Sequence, residues 1–226
     1  MSSPAGPGAS APALPKAIIF DLDGVLIDSW DATMFFYEQA RNSLGLGALT
    51  PEEQAVAFTS PVAEAVEQLF PREKRVQAMQ ALCSVTEQEV RARIRPMPGA
   101  KECLALLKEM GVSLAVNTNG GREAVQTLRE MDLLGFVDLV VSAEDVQRPK
   151  PDPQGLERIL EQLGISRGHS VFIGDSVVDA ATALAGGVRF WAFGNDQLIA
   201  EQHIPEFTSF MQSLKKLSTF DSRGER

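Results

Sequence analysis

Four aspartates and a lysine stand at spacings where side chains of their kind can do joint chemistry. Asp21 and Asp23 are two residues apart and precede Gly24; Asp175 and Asp179 are four apart behind Gly174; Lys150 sits in Arg148-Pro149-Lys150-Pro151-Asp152-Pro153; Thr118-Asn119 adds a hydroxyl and an amide. Carboxylates crowded together repel one another and stay ionised only around positive charge, and an all-oxygen set suits Mg²⁺ better than Zn²⁺. A divalent ion beside a carboxylate and a lysine is what phosphoryl transfer requires, because an anionic nucleophile and an anionic phosphate otherwise repel. At i, i+2 off a strand end, Asp21 and Asp23 can point to the same side, one to attack phosphorus and the other to give the leaving oxygen a proton.

These residues converge only if the fold brings strand ends together. Short β-rich apolar runs at 16–20, 112–117, 136–141, 170–173 and 188–193 alternate with helical patterns at 100–110, 122–132 and 153–163. Alternation of this kind predicts an α/β fold, a Rossmann-like parallel sheet with helices on both faces. In such a sheet ligands bind beyond the carboxyl ends of the strands, where the polar residues above fall. The helices carry apolar stripes: Ala100, Cys103, Leu104 and Leu107; Val125, Leu128 and Met131; Leu156, Ile159 and Leu160.

One interval breaks the rhythm. Residues 29–94 are helical in pattern with no convincing strand, with helix starts signalled at Asp28 or Ser29, at Thr50-Pro51 with Glu53, and at Ser60-Pro61. An insert this long after the first strand predicts a separate helical cap domain, 29–94, over a core made of 16–28 and 95–217, with Pro96, Pro98 and Gly99 at the return crossing. Residues 1–15 are almost wholly Ser, Ala, Gly and Pro and are expected to be a disordered tail, as is 218–226.

Composition narrows the function classes. The net charge of −9 repels phosphate backbones and anionic lipid, so nucleic acid and membrane surfaces are poor partners. No apolar run approaches the roughly 18 residues that cross a bilayer, and no basic segment precedes Lys16, which together suggest a cytoplasmic protein. Cys83 and Cys103 are expected to be small core residues, and with only His169 and His203 present, His-rich metal sites lose support.

Taken in order, Asp21-Leu-Asp23-Gly24-Val-Leu-Ile-Asp28-Ser29, Thr118-Asn119, the Lys150-Pro loop and Gly174-Asp175-Ser176-Val-Val-Asp179 resemble the four motifs of the haloacid dehalogenase superfamily, over about residues 17–193. The helical insert looks like that superfamily's type 1 cap, and the chain looks most like its phosphoglycolate phosphatase group. The resemblance implies Asp21 as the nucleophile that forms an aspartyl phosphate and Asp23 as general acid and base, its backbone carbonyl also binding Mg²⁺. It implies Thr118, with Asn119, and Lys150 as phosphate-binding, Lys150 also orienting Asp21. Asp175 would be the remaining protein ligand to the metal, and Asp179 a residue that holds the ion directly or through water. Arg148 fits the leading place of the third motif as well; Lys150 is preferred as the compact point charge.

The implied activity is Mg²⁺-dependent hydrolysis of a small phosphate monoester, phosphoglycolate- or sugar-phosphate-like. A sugar-phosphate mutase of the same superfamily shares every core motif, though Gly-x-x-Arg is missing from 29–94; a phosphoryl sensor is the alternative of another class, which the intact Asp23 disfavours. Asp28 and Ser29 are expected to cap the first insert helix, and Phe35, Phe36 and Tyr37 to pack between helices. Arg72, Lys74 and Arg75, and Arg91, Arg93 and Arg95, are read as solvated faces, with one of the second set able to reach a phosphorylated substrate. His169 is expected to face solvent.

Overall fold

A computed structural model describes residues 14–221, with side chains to residue 216. Its first strand, β1 (Ala17–Phe20), is buried along its whole length, as an apolar run with helices on both faces must be. A tight turn leads to β2 (Ile27–Asp28), and then come α1 (Trp30–Ser43), α2 (Pro51–Thr59), α3 (Val62–Leu69), α4 (Arg75–Ser84) and α5 (Glu87–Arg91). The chain returns through β3 (Arg95–Pro96), antiparallel to β2. Thereafter strand and helix alternate: α6 (Ala100–Glu109), β4 (Ser113–Asn117), α7 (Glu123–Glu130), β5 (Leu139–Val141), α8 (Gln154–Leu163), β6 (Ser170–Gly174), α9 (Val177–Gly186), β7 (Arg189–Phe193), β8 (Gln202–Ile204) and α10 (Phe207–Asp221).

The sheet is parallel throughout, in the order β5-β4-β1-β6-β7-β8, so the fold is α/β and Rossmann-like. Strand alternation sorts the core into two layers. Ile18, Phe20, Leu114, Val116 and Ile173 face α6, α7 and α10; Ile19, Ala115, Phe172 and Phe190 face α8 and α9. Helices α1–α4 of the insert bury a third core of their own, including Met34, Tyr37, Val66, Leu69 and Leu82, while Val90 of α5 packs against the first. Arg41 crosses it, donating to the carbonyls of Gly47 at 2.6 Å and Leu69 at 2.9 Å and pairing with Glu53 at 3.2 Å. Among the described residues no helix is long and apolar enough to cross a membrane.

Several elements depart from the sequence reading. The strand expected at 136–141 begins only at Leu139, because Leu134–Phe136 turns as a 3₁₀ helix and Asp138 anchors the edge, its carboxylate accepting from Leu114 N–H at 2.9 Å and Lys108 at 2.7 Å. Strand β8 was not anticipated, since Gln202-His203-Ile204 is too short and polar to show a strand pattern. Val125 is exposed rather than buried: α7 turns Ala124, Thr127 and Leu128 inward, at i, i+3 and i+4. Cys103 is buried as expected, whereas Cys83 lies beyond the buried Leu82 and is exposed.

The tails also differ. Helix α10 continues to Asp221, past the boundary expected at 218, and Leu14 packs against the core although 1–15 was read as a tail. Residues 1–13 and 222–226 of the two expected tails lie outside the described residues.

Candidate active site

Strand register builds the site. Phe20 of β1 lies level with Val116 of β4 and Ile173 of β6, so Asp21, Asn117-Thr118 and Gly174-Asp175 leave the sheet side by side. Backbone bonds carry the register past the strands, with Asp21 N–H donating to Ile173 O at 2.8 Å and Thr118 N–H to Val141 O at 3.0 Å. Two glycines let the loops close. Gly24 has φ +76°, and a Cβ there would stand 2.1 Å from Asp175 Oδ2; at Gly174 a Cβ would stand 2.4 Å from Asp179 Cβ.

Lys150 is the hub. Its Nζ lies 2.7 Å from Asp21 Oδ1 and 2.7 Å from Asp179 Oδ1, and the residue is only 5% exposed. Asp21 Oδ1 also accepts from Leu22 N–H at 2.7 Å, which leaves Oδ2 with no protein partner among the described residues. Asp179 is also the N3 residue of the capping box that starts α9, where Oδ2 accepts from Ser176 Oγ at 2.6 Å and Ser176 N–H at 3.2 Å. Arg148, the other candidate cation, is exposed and paired with Asp152 at 2.6 Å, outside the site.

Asp23 accepts a hydrogen bond from Ser29 Oγ, so Ser29, expected to cap α1, makes no side-chain cap and spends its hydroxyl on the acid instead. Thr118 Oγ1 accepts from Gly120 N–H at 2.9 Å. Asn119 Nδ2 donates to Lys150 O at 3.0 Å and to Thr59 O at 3.2 Å, the latter at the end of α2. Its side-chain amide straps the lysine loop to the insert, while the residue lines the cavity beside Thr118 and Lys150.

Four carboxylates face one ammonium, and the electrostatics show the imbalance. Burial pushes the Asp21 carboxyl well up from its ordinary range, and Asp179 adds to this while Lys150 opposes it. Asp23 is raised by burial and pulled back by the hydrogen bonds from Ser29 and Thr118. Asp175 is pushed up to about 7, by burial first and by Asp179 next. Burial alone would lower Lys150, but Asp179 and Asp21 outweigh it and hold the ammonium charged.

A divalent cation would relieve that repulsion, and the donor set fits one. Carboxylate oxygens of Asp21, Asp175 and Asp179 lie within 4.8 Å of one another, all hard oxygen donors of the kind Mg²⁺ takes. Asp21 and Asp175 line the cavity, whereas Asp179 stands behind Lys150 and does not, so Asp21 and Asp175 are the carboxylates of this group that face an incoming ion from the cavity side. The Asp23 side chain lies outside the group, turned to Ser29.

Asp21, Asp23, Thr118, Asn119, Lys150 and Asp175 share the wall of a cavity of about 380 Å³ whose other wall is the insert. The insert contributes Phe36, Tyr37 and Phe58 to it, aromatic residues that sequence reasoning assigned to packing or passed over. It also passed over Asn195, whose Nδ2 donates to Asp175 O at 3.0 Å; the signal was available, because Asn195 follows the carboxyl end of β7. Arg91 lines the cavity, whereas Arg93 stacks on Phe35 with its guanidinium 3.6 Å from the ring centroid. His169 is exposed, as expected.

Fold and site together define a Rossmann-like α/β protein whose acidic centre lies at the carboxyl ends of its strands beneath an inserted set of helices. Residues 18–193 match the family described as haloacid dehalogenase-like hydrolase, and the chain belongs to it. It is 31% identical over 209 residues to a phosphoglycolate phosphatase of Pseudomonas syringae pv. tomato, covering 84% of this chain and 75% of that protein. It is 26% identical over 176 residues to pyrophosphatase PpaX of Halalkalibacterium halodurans, covering 77% and 81%. Among solved structures, a HAD-superfamily hydrolase of subfamily IA from Geobacter sulfurreducens is similar with a TM-score of 0.72 at 29% identity, covering 88% of this chain and 96% of that one.

Proposed function

We propose that the chain is a Mg²⁺-dependent, cytoplasmic phosphatase that hydrolyses a small phosphate monoester through an aspartyl phosphate on Asp21. One observation carries the reading: Lys150 Nζ holds Asp21 Oδ1 at 2.7 Å, which fixes the carboxylate while its second oxygen stays free on a residue that lines the cavity. The phosphatase and pyrophosphatase names of the relatives support the same reaction class.

Asp21 Oδ2 attacks phosphorus, and the bond from phosphorus to the ester oxygen breaks as the new bond forms. Asp23, kept protonated to a higher pH by its burial, gives its proton to the departing alcohol. Now ionised, Asp23 takes a proton from water, whose oxygen attacks phosphorus and returns Asp21 as a carboxylate together with inorganic phosphate. Lys150 and the Thr118 hydroxyl neutralise and orient the phosphoryl oxygens, and Asp179 holds Lys150 from behind. Bound through Asp21 and Asp175, Mg²⁺ supplies the charge that lets one anion approach another. The helical insert, 29–94, acts as a cap domain that excludes water and selects the ester.

Hydrolysis of p-nitrophenyl phosphate tests the reading. It should require Mg²⁺ and stop on chelation; turnover unaffected by chelation would refute the metal's part in it.

A further inference from the structure

Beyond the phosphoryl site, the cavity has an apolar wall whose cation is already paired with carboxylates. The insert lines it with Phe36, Phe58, Val62, Val85, Val90 and Ile94. Phe58 lies beside the acidic centre: its Cε1 is 3.2 Å from where a Gly24 Cβ would stand, and it packs on Trp30 with ring centroids 5.1 Å apart. Outside the acidic centre, the cation on this wall is Arg91, already paired with Glu87 at 2.6 Å and Glu130 at 2.7 Å. Glu87 and Glu123 line the same cavity, so two carboxylates stand there against one guanidinium. A carboxylate or second phosphate on the substrate would enter a wall of its own sign, whereas an apolar group would gain by leaving water.

We infer that the cavity takes phosphate esters of a neutral alcohol with an apolar, aromatic-sized body, and selects against esters that carry a second anionic group. This rests on the phosphatase reading and gives it a substrate class different from those named for the relatives above. Phe36 and Phe58 are the selecting residues, since both present aromatic surface to the space beyond the phosphoryl site.

The test compares kcat/KM for 2-phenylethyl phosphate, phosphoglycolate, glucose 6-phosphate and pyrophosphate, with Mg²⁺ present and p-nitrophenyl phosphate as the reference for activity of any kind. 2-Phenylethyl phosphate should exceed each of the other three by at least about tenfold, the scale at which an apolar pocket discriminates. Phe36→Ala and Phe58→Ala should each raise its KM at least about fivefold and move kcat/KM for phosphoglycolate by less than about twofold. Equilibrium binding to Asp21→Asn, followed by tryptophan fluorescence, should rank 2-phenylethyl phosphate above phosphoglycolate in the same way. A reversed ranking in turnover or in binding, or equal losses for both esters in the Phe variants, overturns the inference and leaves the phosphatase reading standing. No hydrolysis of any compound, p-nitrophenyl phosphate included, overturns both.

Discussion

Removing Mg²⁺ should destabilise this protein more as the pH rises, and the size of the effect follows from Asp175. Its carboxyl moves from an ordinary 3.8 to about 7 in the folded chain, by burial and by the neighbouring Asp179. Below both values the two states are equally protonated and nothing is lost. Between them the folded state holds a proton that the unfolded state has released, so stability falls as pH rises, and above about 7 the penalty is complete. At about 1.4 kcal/mol per unit the loss reaches roughly 4 kcal/mol, and Asp21 adds to it in the same direction. Mg²⁺ held by these carboxylates would remove the penalty. The chelated protein should therefore melt below the Mg²⁺-loaded protein by roughly 8–16 °C at about pH 8, taking 2–4 °C per kcal/mol for a chain of this size, and by much less at about pH 5. Thermal denaturation with Mg²⁺ or with a chelator, at both pH values, measures it. The same melting difference at both would refute the idea that the acidic cluster is held together by the ion.

Lys150→Met should cost about 3–5 kcal/mol in urea unfolding, because it leaves Asp21 and Asp179 buried without their shared cation, and it should abolish turnover. Arg148→Ala, which breaks only an exposed pair with Asp152, should cost under about 1 kcal/mol and leave kcat within about twofold. Gly24→Ala places a Cβ 2.1 Å from Asp175 Oδ2 in a left-handed backbone, so it should weaken Mg²⁺ binding at least about tenfold by calorimetry, the scale seen when a ligand's supporting shell is disturbed. Asp23→Asn should lower kcat for an alkyl phosphate by about 10²–10⁴ but cost much less with p-nitrophenyl phosphate, whose leaving group barely needs a proton; equal losses would contradict its role as acid.

What the sequence made legible is what local chemistry decides. β1 reads as a strand because all four of its residues must be apolar when both faces are covered, and Thr50, Pro51 and Glu53 announce α2 because the capping box needs those residue types at those positions. Asp21, Asp23, Thr118, Lys150 and Asp175 were legible because a parallel sheet gathers its strand ends. What was hidden depends on contacts between distant segments. Ser29 reads as a helix cap until Asp23 is folded against it, the bond from the Asn119 amide to Thr59 of the insert joins segments 60 residues apart, and Asn195 has no signal except its place after a strand. Phe36 and Phe58 show helical spacing whether they face a helix or a cavity, so periodicity could not separate a packing surface from a substrate wall.

The central claim is that phosphorus passes through Asp21. Acid-quenched enzyme caught during turnover of p-nitrophenyl phosphate can be reduced with borohydride, which converts an acyl phosphate to an alcohol, and the site located by peptide mass spectrometry. Modification is expected at Asp21 alone, dependent on substrate, with Asp21→Asn both unmodified and inactive. Full turnover by Asp21→Asn, or modification at another carboxylate, would contradict the account.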